Sequence, residues 1–210
     1  MKKLNIIYED KNILVIDKEP NKLTIATSNE RINTLYHEAS TYVKKQYPKN
    51  KIFIVHRLDK DTSGLIIFAK NEQTKAELQN NWDNVKREYY AIVHGNMPKN
   101  EDTLINYLYE DKNLKVSITN NTKIGKKAIT HYEVIKSNKK YSLLKISIAT
   151  GRKNQIRIQL SNIGHAIVGD KKYGSIDNPI KRLCLHASLI KYDNYTFESP
   201  IPKSFNKLIK

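Results

Sequence analysis

The sequence has little cysteine and no long apolar stretch. Cys184 is the only cysteine among 210 residues, so disulfides within the chain and zinc sites built on several thiolates are excluded. No apolar run approaches the roughly 18 residues that are needed to cross a membrane. Residues 1–17 begin with two lysines, but Glu9, Asp10 and Lys11 interrupt the apolar region that a secretion signal requires. These absences predict a cytoplasmic protein.

Acidic residues are scarce relative to basic ones, at 21 against 37, which gives a formal net charge of +16. Such an excess of basic residues points to a polyanionic partner, which could be RNA, DNA or an anionic membrane. Solvated lysine without any partner explains the charge alone equally well. Arginine is rare, with six residues against 31 lysines. Because a guanidinium makes paired, planar hydrogen bonds that an ammonium cannot make, each arginine position is informative.

The pattern of apolar residues predicts an α+β fold. Apolar, β-branched runs bounded by turn residues predict strands at 12–19, 22–26, 51–58, 64–70, 86–95, 128–137, 141–150 and 182–192. Helical spacing of apolar residues predicts helices at 35–47, with Asn33 or Thr34 as N-cap, and at 71–82, 153–163 and 204–210. Residues 96–127 are polar and are interpreted as loops and short strands. Strands and helices do not alternate as in βαβ repeats, which favours a mixed, mainly antiparallel sheet.

Several catalytic motifs are missing from the sequence. It contains no G-x-x-x-x-G-K-[ST] loop and no G-x-S-x-G turn, which excludes a P-loop nucleotidase and an α/β-hydrolase. The glycine spacing in GRKNQIR differs from that of dinucleotide-binding folds. The six histidines show no close metal-ligand spacing, which argues against a metal site. A carboxylate close to an arginine remains as the candidate for chemistry.

That carboxylate is Asp59, in the segment HRLDKDTSGLIIFAK at residues 56–70. It follows Arg57 by two residues and lies where an apolar run ends and a turn begins. A neighbouring arginine favours the ionised carboxylate, which can act as a nucleophile or a base. For an isolated aspartate, however, a turn cap or a structural salt bridge is the more common role.

The segment at 56–70 resembles the motif of the RluA-type pseudouridine synthases, and further segments appear in the order of that family. Residues 5–23 resemble the start of its catalytic domain, and KREYYAIVHG (86–95) resembles the strand with its active-site tyrosine. ATGRKNQIRIQLSNIGHAIVGDKKYG (149–174) resembles its arginine-bearing segment, and RLCLHASLIKY (182–192) with FESPIP (197–202) resembles its last strand. The resemblance covers nearly the whole chain.

The resemblance implies an enzyme that converts uridine in RNA to its C-glycoside isomer without a cofactor or metal. Asp59 matches the essential aspartate that acts at the sugar, either by attacking C1′ or by removing a 2′ proton. Tyr89 matches the tyrosine that packs on the uracil and helps the final proton removal, with the adjacent Tyr90 as an alternative. Arg157 matches the arginine that pairs with the aspartate.

The resemblance also implies contacts to RNA. Arg57 matches the arginine that helps to displace the target base, and Leu185 matches the apolar residue lining the pocket. Further RNA-binding residues are expected among exposed cations of the matching segments: Lys60, Arg152, Lys153 and Lys171. A uridine in folded RNA has to flip out of the stack to reach such a site.

The chain departs from the family pattern at several positions. Lys153 and Asn154 stand where the family often has Thr-His, and Gln159 stands where it often has His. There is no room before residue 5 for the S4-type RNA-binding domain of many relatives. The expectation is therefore a monomeric, stand-alone catalytic domain of residues 1–210, in two lobes with an RNA cleft between them that holds Asp59. The alternative is a non-catalytic RNA-binding or ribosome-assembly factor with the same fold.

Overall fold

The computed structural model describes residues 4–28 and 30–210. The described chain forms two compact units. The first comprises the described residues up to Val85 together with Leu189–Ser199, and the second comprises Lys86–Ser188 and Pro200–Lys210.

The described residues contain more strand than helix. The strands are β1 (Ile6–Glu9), β2 (Ile13–Lys18), β3 (Phe53–Ile54), β4 (Ser63–Ala69), β5 (Lys86–His94), β6 (Glu101–Glu110), β7 (Val116–Thr119), β8 (Lys126–Ser137), β9 (Tyr141–Ile148), β10 (Leu185–Tyr192) and β11 (Tyr195–Glu198). The α-helices are α1 (Leu35–Gln46), α2 (Glu72–Asn80) and α3 (Gln155–Asn162), and short 3-10 turns occur at Trp82–Asn84 and Phe205–Lys207.

The first unit is built around β4, whose seven residues are all buried. β2 pairs antiparallel with β4 from Ile13↔Ala69 to Lys18↔Gly64, and β1 pairs antiparallel with β2. The short β3 also pairs with β4, and β11 pairs with the part of β10 that belongs to this unit. Because β4 carries apolar side chains on both faces, it is covered on both sides, as a continuous apolar run predicts.

The helix α1 begins where its sequence predicts. Thr34 is the N-cap, and its hydroxyl accepts the N–H of His37 at 3.1 Å. Leu35, Ala39 and Val43 recur every four residues and are buried, so one face of the helix covers the first unit.

The second unit contains an antiparallel sheet with the strand order β5-β9-β8-β6-β7. Its core includes Ile92, Tyr132, Leu144, Ile146 and Leu160, all of which are at most 1% exposed. The α+β class is confirmed, and each strand pair named within a unit is antiparallel, as predicted.

Two predicted strands of the first unit are wrong in whole or in part. Residues 22–26 form bends with one parallel bridge, Leu23↔Thr34. The carbonyls of Leu23 and Thr24 accept N–H groups at the start of α1, so they do not join a strand ladder. Of residues 51–58, only Phe53–Ile54 form a strand. Beyond them the side chain of His56, rather than a strand backbone, bonds to β4.

Two further predictions fail near the polar stretch and at the end of the chain. Residues 96–127 contain the short strand β7, as expected, but also the ten-residue strand β6. Apolar residues of β6 are adjacent at Leu104–Ile105 and at Tyr107–Tyr109, so they do not show the alternation that identifies a strand. The helix expected at 204–210 is one 3-10 turn at Phe205–Lys207, because so short a segment has too few bonds to stabilise an α-helix.

Candidate active site

Asp59 lies in the segment 55–62, which connects β3 to β4. Its backbone carbonyl accepts the N–H of Thr62 at 3.2 Å, so a turn begins at Asp59. Asp59 is half-buried, while Arg57 and Lys60 are exposed. The carboxylate therefore lies between the end of an apolar run and the start of a buried strand, as its sequence predicts.

Thr24 holds the backbone directly before Asp59. Its hydroxyl donates to the carbonyl of Leu58 at 2.8 Å and accepts the N–H of Leu58 at 3.3 Å. Thr24 is 2% exposed, so water does not compete for these bonds. One side chain thus satisfies both backbone groups of the residue next to Asp59, as a neighbouring strand would.

Lys18 holds the backbone directly after Asp59. Its Nζ donates to the carbonyl of Lys60 at 3.0 Å, and also to the carbonyls of Glu19 at 3.0 Å and Lys22 at 2.8 Å. Only 1% of Lys18 is exposed. The three N–H groups of an ammonium match these three acceptors, so Lys18 links the segment after β2 to the turn that carries Asp59.

His56 joins the same segment to β4. Its Nε2 accepts the backbone N–H of Ile67 at 3.0 Å, and its ring stacks on Trp82 at 4.3 Å between centroids. Because Nε2 accepts this bond, the neutral ring carries its proton on Nδ1. His56 therefore has a structural hydrogen-bonding role, and no sequence pattern indicates the roles of Thr24 and Lys18.

Tyr89 lies on β5 in the second unit. It pairs with Ile146 in the β5–β9 register, while Tyr90 pairs with Lys145. Because alternate residues of a strand face opposite sides, Tyr89 and Tyr90 point to opposite faces of the sheet. Arg87, two residues before Tyr89, shares its face and is 5% exposed.

Arg87 is a candidate site residue to which sequence reasoning assigned no role. A Cβ at Gly151 would lie 3.1 Å from Nη1 of Arg87, so the glycine leaves room for this guanidinium. A buried guanidinium is costly unless it is bonded and therefore calls for a functional or structural reason. The rarity of arginine in this chain is the signal that could have identified it.

Two buried glutamines fix α3 against the sheet of the second unit. Gln155 donates to Oγ1 of Thr130 at 2.8 Å, and Thr130 donates to Oε1 of Gln159 at 2.7 Å. Gln159 also donates to the carbonyl of Leu104 at 3.1 Å. Gln159, a departure from the family pattern, is fully satisfied here. The helix ends at Asn162, and Gly164 follows with a φ of +84°, a left-handed conformation typical of the chain just after a helix.

Arg157 projects from α3 into a buried ion pair with Asp170. Its Nε and Nη2 donate to the two carboxylate oxygens at 2.7 and 2.8 Å, and Asp170 has a fully buried side chain. Nη1 donates to Oδ1 of Asn154 at 3.1 Å, and the guanidinium lies 5.2 Å from the ring centre of Tyr173. Sequence reasoning missed these three partners, and the pairing of Arg157 with Asp59 stays a prediction.

The expected RNA-binding residues differ in their surroundings. Lys171 is exposed, and so is Arg152, whose Nε donates to the carbonyl of Lys127 at 3.1 Å. Lys153 forms an ion pair with Glu110, which reduces its charge toward other anions. Leu185, the expected pocket residue, is 3% exposed in the core of the second unit.

The segment that carries Asp170 is held by a polar cluster. His94 Nε2 lies 2.9 Å from Oγ of Ser175, and Tyr141 donates to Asp177 at 2.7 Å. The hydrogen bond to Asp177, with burial and its negative charge, raises the pKa of Tyr141 to about 12. Burial lowers the pKa of His94 and outweighs the opposing charge of Asp177.

Within residues 4–28 and 30–210, no group of three or more His, Cys, Asp or Glu side chains is arranged to hold a metal ion. Over the same residues, no helix is both long and apolar enough to cross a membrane.

The chain matches the family model described as RNA pseudouridylate synthase over residues 12–162. It is 31% identical to the RNA pseudouridine synthase YjbO of Bacillus subtilis over 99% of this chain and 76% of the relative. It is 39% identical to the ribosomal large subunit pseudouridine synthase D of Buchnera aphidicola over 82% of this chain and 54% of the relative.

Among solved structures, the fold is similar to that of human RNA pseudouridylate synthase domain containing 4. The TM-score is 0.83 at 20% identity, over 97% of this chain and 92% of that one. Human RNA pseudouridylate synthase domain containing 1 gives a TM-score of 0.76 at 22% identity, over 97% and 85% of the two chains. The chain therefore belongs to the RNA pseudouridylate synthase family, enzymes that isomerise uridine in RNA.

Proposed function

We propose that this protein acts as a monomer that isomerises selected uridines of ribosomal or transfer RNA, with Asp59 as the essential catalytic residue and without a cofactor or metal. The observation that carries the proposal is that buried side chains hold the backbone on both sides of Asp59. Thr24 fixes the residue before Asp59, and Lys18 fixes the residue after it. A carboxylate that only capped a turn would not need buried side chains on both of its flanks.

Two observations support RNA of the ribosome or transfer RNA as the target. One relative, from Buchnera aphidicola, is named for the ribosomal large subunit. The net charge of +16 favours a polyanion, and lysines that contact phosphates release counterions on binding. Such a substrate places the protein in the cytoplasm.

The reaction needs no co-reactant because uridine and pseudouridine are isomers. The N1–C1′ bond breaks and its electron pair leaves with the uracil, the base turns, and C5 bonds to C1′. A base then removes the proton on C5, and N1 takes up a proton, so that the product has the same composition as uridine. Asp59 acts at the sugar, either by attacking C1′ or by taking the 2′ proton, and both routes require the ionised carboxylate.

The other residues of the site hold the base and the RNA. Tyr89 packs on the detached uracil and assists in removing the C5 proton. Flipping the uridine costs a few kcal/mol of stacking. Arg57, which is exposed beside Asp59, occupies the vacated position in the RNA and offsets part of this cost.

The test compares Asp59→Asn with Asp61→Asn, a matched control two residues away in the same turn. Both variants receive unmodified ribosomal and transfer RNA transcripts labelled with tritium at C5 of uridine. Wild type and Asp61→Asn should release tritium, while Asp59→Asn should lose at least about 10²-fold in rate, the lower end of what one catalytic group contributes. RNA affinity, measured by filter binding, should stay within a few-fold because Asp59 acts on the bound sugar.

Turnover by Asp59→Asn at the wild-type rate would remove this residue from the mechanism. RNA binding by the wild type without tritium release from any RNA would favour the non-catalytic RNA-binding factor instead. Mapping pseudouridines in a strain that lacks the protein would then identify the modified positions.

A further inference from the structure

Asn154 has an unusual backbone conformation at the start of α3. It occupies the N-cap position with φ 55° and ψ 19°, in the left-handed region. Its side chain makes no capping bond to the helix. Because side chains with a Cβ rarely adopt this conformation, a specific reason is needed for a residue other than glycine here.

The side chain of Asn154 joins two residues instead. Its Oδ1 accepts Nη1 of Arg157 at 3.1 Å, and its Nδ2 donates to the hydroxyl of Tyr173 at 2.9 Å. Asn154 is 8% exposed and Arg157 is 6% exposed, so these bonds lie away from water. The left-handed backbone turns the amide toward the guanidinium of Arg157 rather than toward the backbone N–H groups at the start of α3.

Asn154 and Asp170 hold the guanidinium of Arg157 on different edges. Asp170 binds Nε and Nη2, and Asn154 binds Nη1. Two such contacts fix the plane of a guanidinium, whereas the bidentate pair alone still permits it to hinge about Asp170. The Tyr173 hydroxyl, in turn, fixes which end of the Asn154 amide faces Arg157.

Asparagine meets all the requirements at this position, whereas glycine and aspartate do not. Glycine would adopt the backbone conformation but would lose both bonds. Aspartate tolerates the conformation but has no N–H to give to Tyr173, and it would place a second carboxylate beside Arg157.

We propose that Asn154 is a positioning residue for Arg157: its amide sets the plane of the guanidinium, and the Tyr173 hydroxyl sets the orientation of the amide. The proposal rests on the proposed function, with Arg157 as the arginine expected to pair with Asp59. In this role Asn154 acts through Arg157, so its loss should lower the rate of the chemical step more than the affinity for RNA.

Three variants and one control test the kinetic part. Asn154→Gly keeps the backbone conformation and should lower kcat about 10-fold, with KM within about 2-fold, because a bond to a charged group is lost. Tyr173→Phe keeps the ring and should lower kcat less. The double variant should equal Asn154→Gly, since Tyr173 acts through Asn154. Asp193→Gly, a left-handed residue (φ 49°) in an exposed turn, should keep wild-type kcat.

Nitrogen NMR of the arginine side chains tests positioning without RNA. With six arginines in the chain, the Arg157 signals can be assigned through Arg157→Lys. Exchange of its two terminal nitrogens, by rotation about the Nε–Cζ bond, should be several-fold faster in Asn154→Gly than in the wild type or Asp193→Gly.

The outcomes separate the two proposals. If the Arg157 guanidinium rotates about Nε–Cζ in Asn154→Gly at the wild-type rate, the positioning role is wrong, whatever the effect on kcat. The role is also wrong if Asn154→Gly has the wild-type kcat. Absence of tritium release by the wild type overturns the proposed function, while the rotation rate still decides whether Asn154 positions Arg157.

Discussion

Lys18 is a long cationic side chain of which 1% is exposed, and such burial is tolerated only when the donors are bonded. Three backbone carbonyls around Nζ meet this condition, and one of them belongs to Lys60 in the turn of Asp59. Removing the amine would leave these carbonyls buried and without this donor. The residue therefore contributes to the site through the backbone rather than through its charge toward RNA.

His94 should make the stability of the protein sensitive to mild acid. Burial lowers its pKa in the folded state below 6.5, and the charge of Asp177 opposes this only in part. Below about pH 6.5 the unfolded chain therefore binds more protons than the folded one. The stabilisation is fully present above this pH and is lost as the pH falls through the folded-state pKa.

Urea unfolding of the wild type and His94→Gln between about pH 5 and 7 measures this effect. The free energy of unfolding of the wild type should fall more steeply toward low pH than that of the variant. Parallel curves for the two proteins would show that another group titrates.

The secondary structure around single residues could be predicted where a local sequence pattern determines it. Asp59 lies in a turn and Tyr89 on a strand, as the local patterns indicate. Asn154 and Asp170, in contrast, reach Arg157 through contacts that no local pattern encodes, and Thr24 reaches Leu58 across 34 positions of sequence. Such partners are set by the tertiary path of the chain and could not be predicted from periodicity.

At the level of elements, the segments next to the site were the hardest to predict. The apolar run 51–58 has the composition of a full strand, but only two of its residues pair with β4. Leaving the ladder early allows residues 55–62 to form the turn of Asp59. The side chains of His56 and Thr24 replace the backbone bonds that a longer strand would have made. The turn of Asp59 can therefore form only because β3 ends at Ile54.

Thr24→Val tests this replacement because valine has nearly the same shape but lacks the hydroxyl. Both backbone groups of Leu58 would lose a buried partner, so the free energy of unfolding should fall by roughly 1–3 kcal/mol. Tritium release should also slow, because the turn of Asp59 loses one of its supports. Urea unfolding and the release assay measure the two effects.

The control for this prediction is Thr24→Ser, which keeps the hydroxyl and should remain closer to the wild type in both measurements. Equal stability and turnover of the valine and serine variants would show that the hydroxyl contributes nothing to the turn.

For the whole molecule, the α+β class and the antiparallel sheets followed from the sequence because alternating apolar runs and short turns are local features. The charge of +16 was equally visible, but which lysines can reach RNA was not. Lys22, Lys70 and Lys153 pair with Glu38, Glu9 and Glu110, respectively. These pairs bring together residues that are distant in sequence.

RNA affinity should fall steeply with salt because phosphate contacts release counterions. In filter binding, the logarithm of the affinity should decrease linearly with the logarithm of the salt concentration, by about 0.7–0.9 per phosphate contact. Lys171→Gln removes an exposed cation and should make the slope shallower by about 1. Lys153→Gln, which removes a lysine already paired with Glu110, should change it less. If the RNA affinity of the wild type does not change with salt, the basic residues are solvated and do not contact phosphate.

The first unit is composed of two pieces of chain, and this has a consequence for the time at which it can be completed. Its core includes Leu65 and Ile67 from the early piece, together with Ile190 and Phe197 from Leu189–Ser199. Because synthesis proceeds from the N-terminus and domains fold as units, the ribosome must add all of Lys86–Ser188 before this core can close. The aspartate segment is among the earliest parts of the chain to be made, yet its own unit is complete only after residue 199.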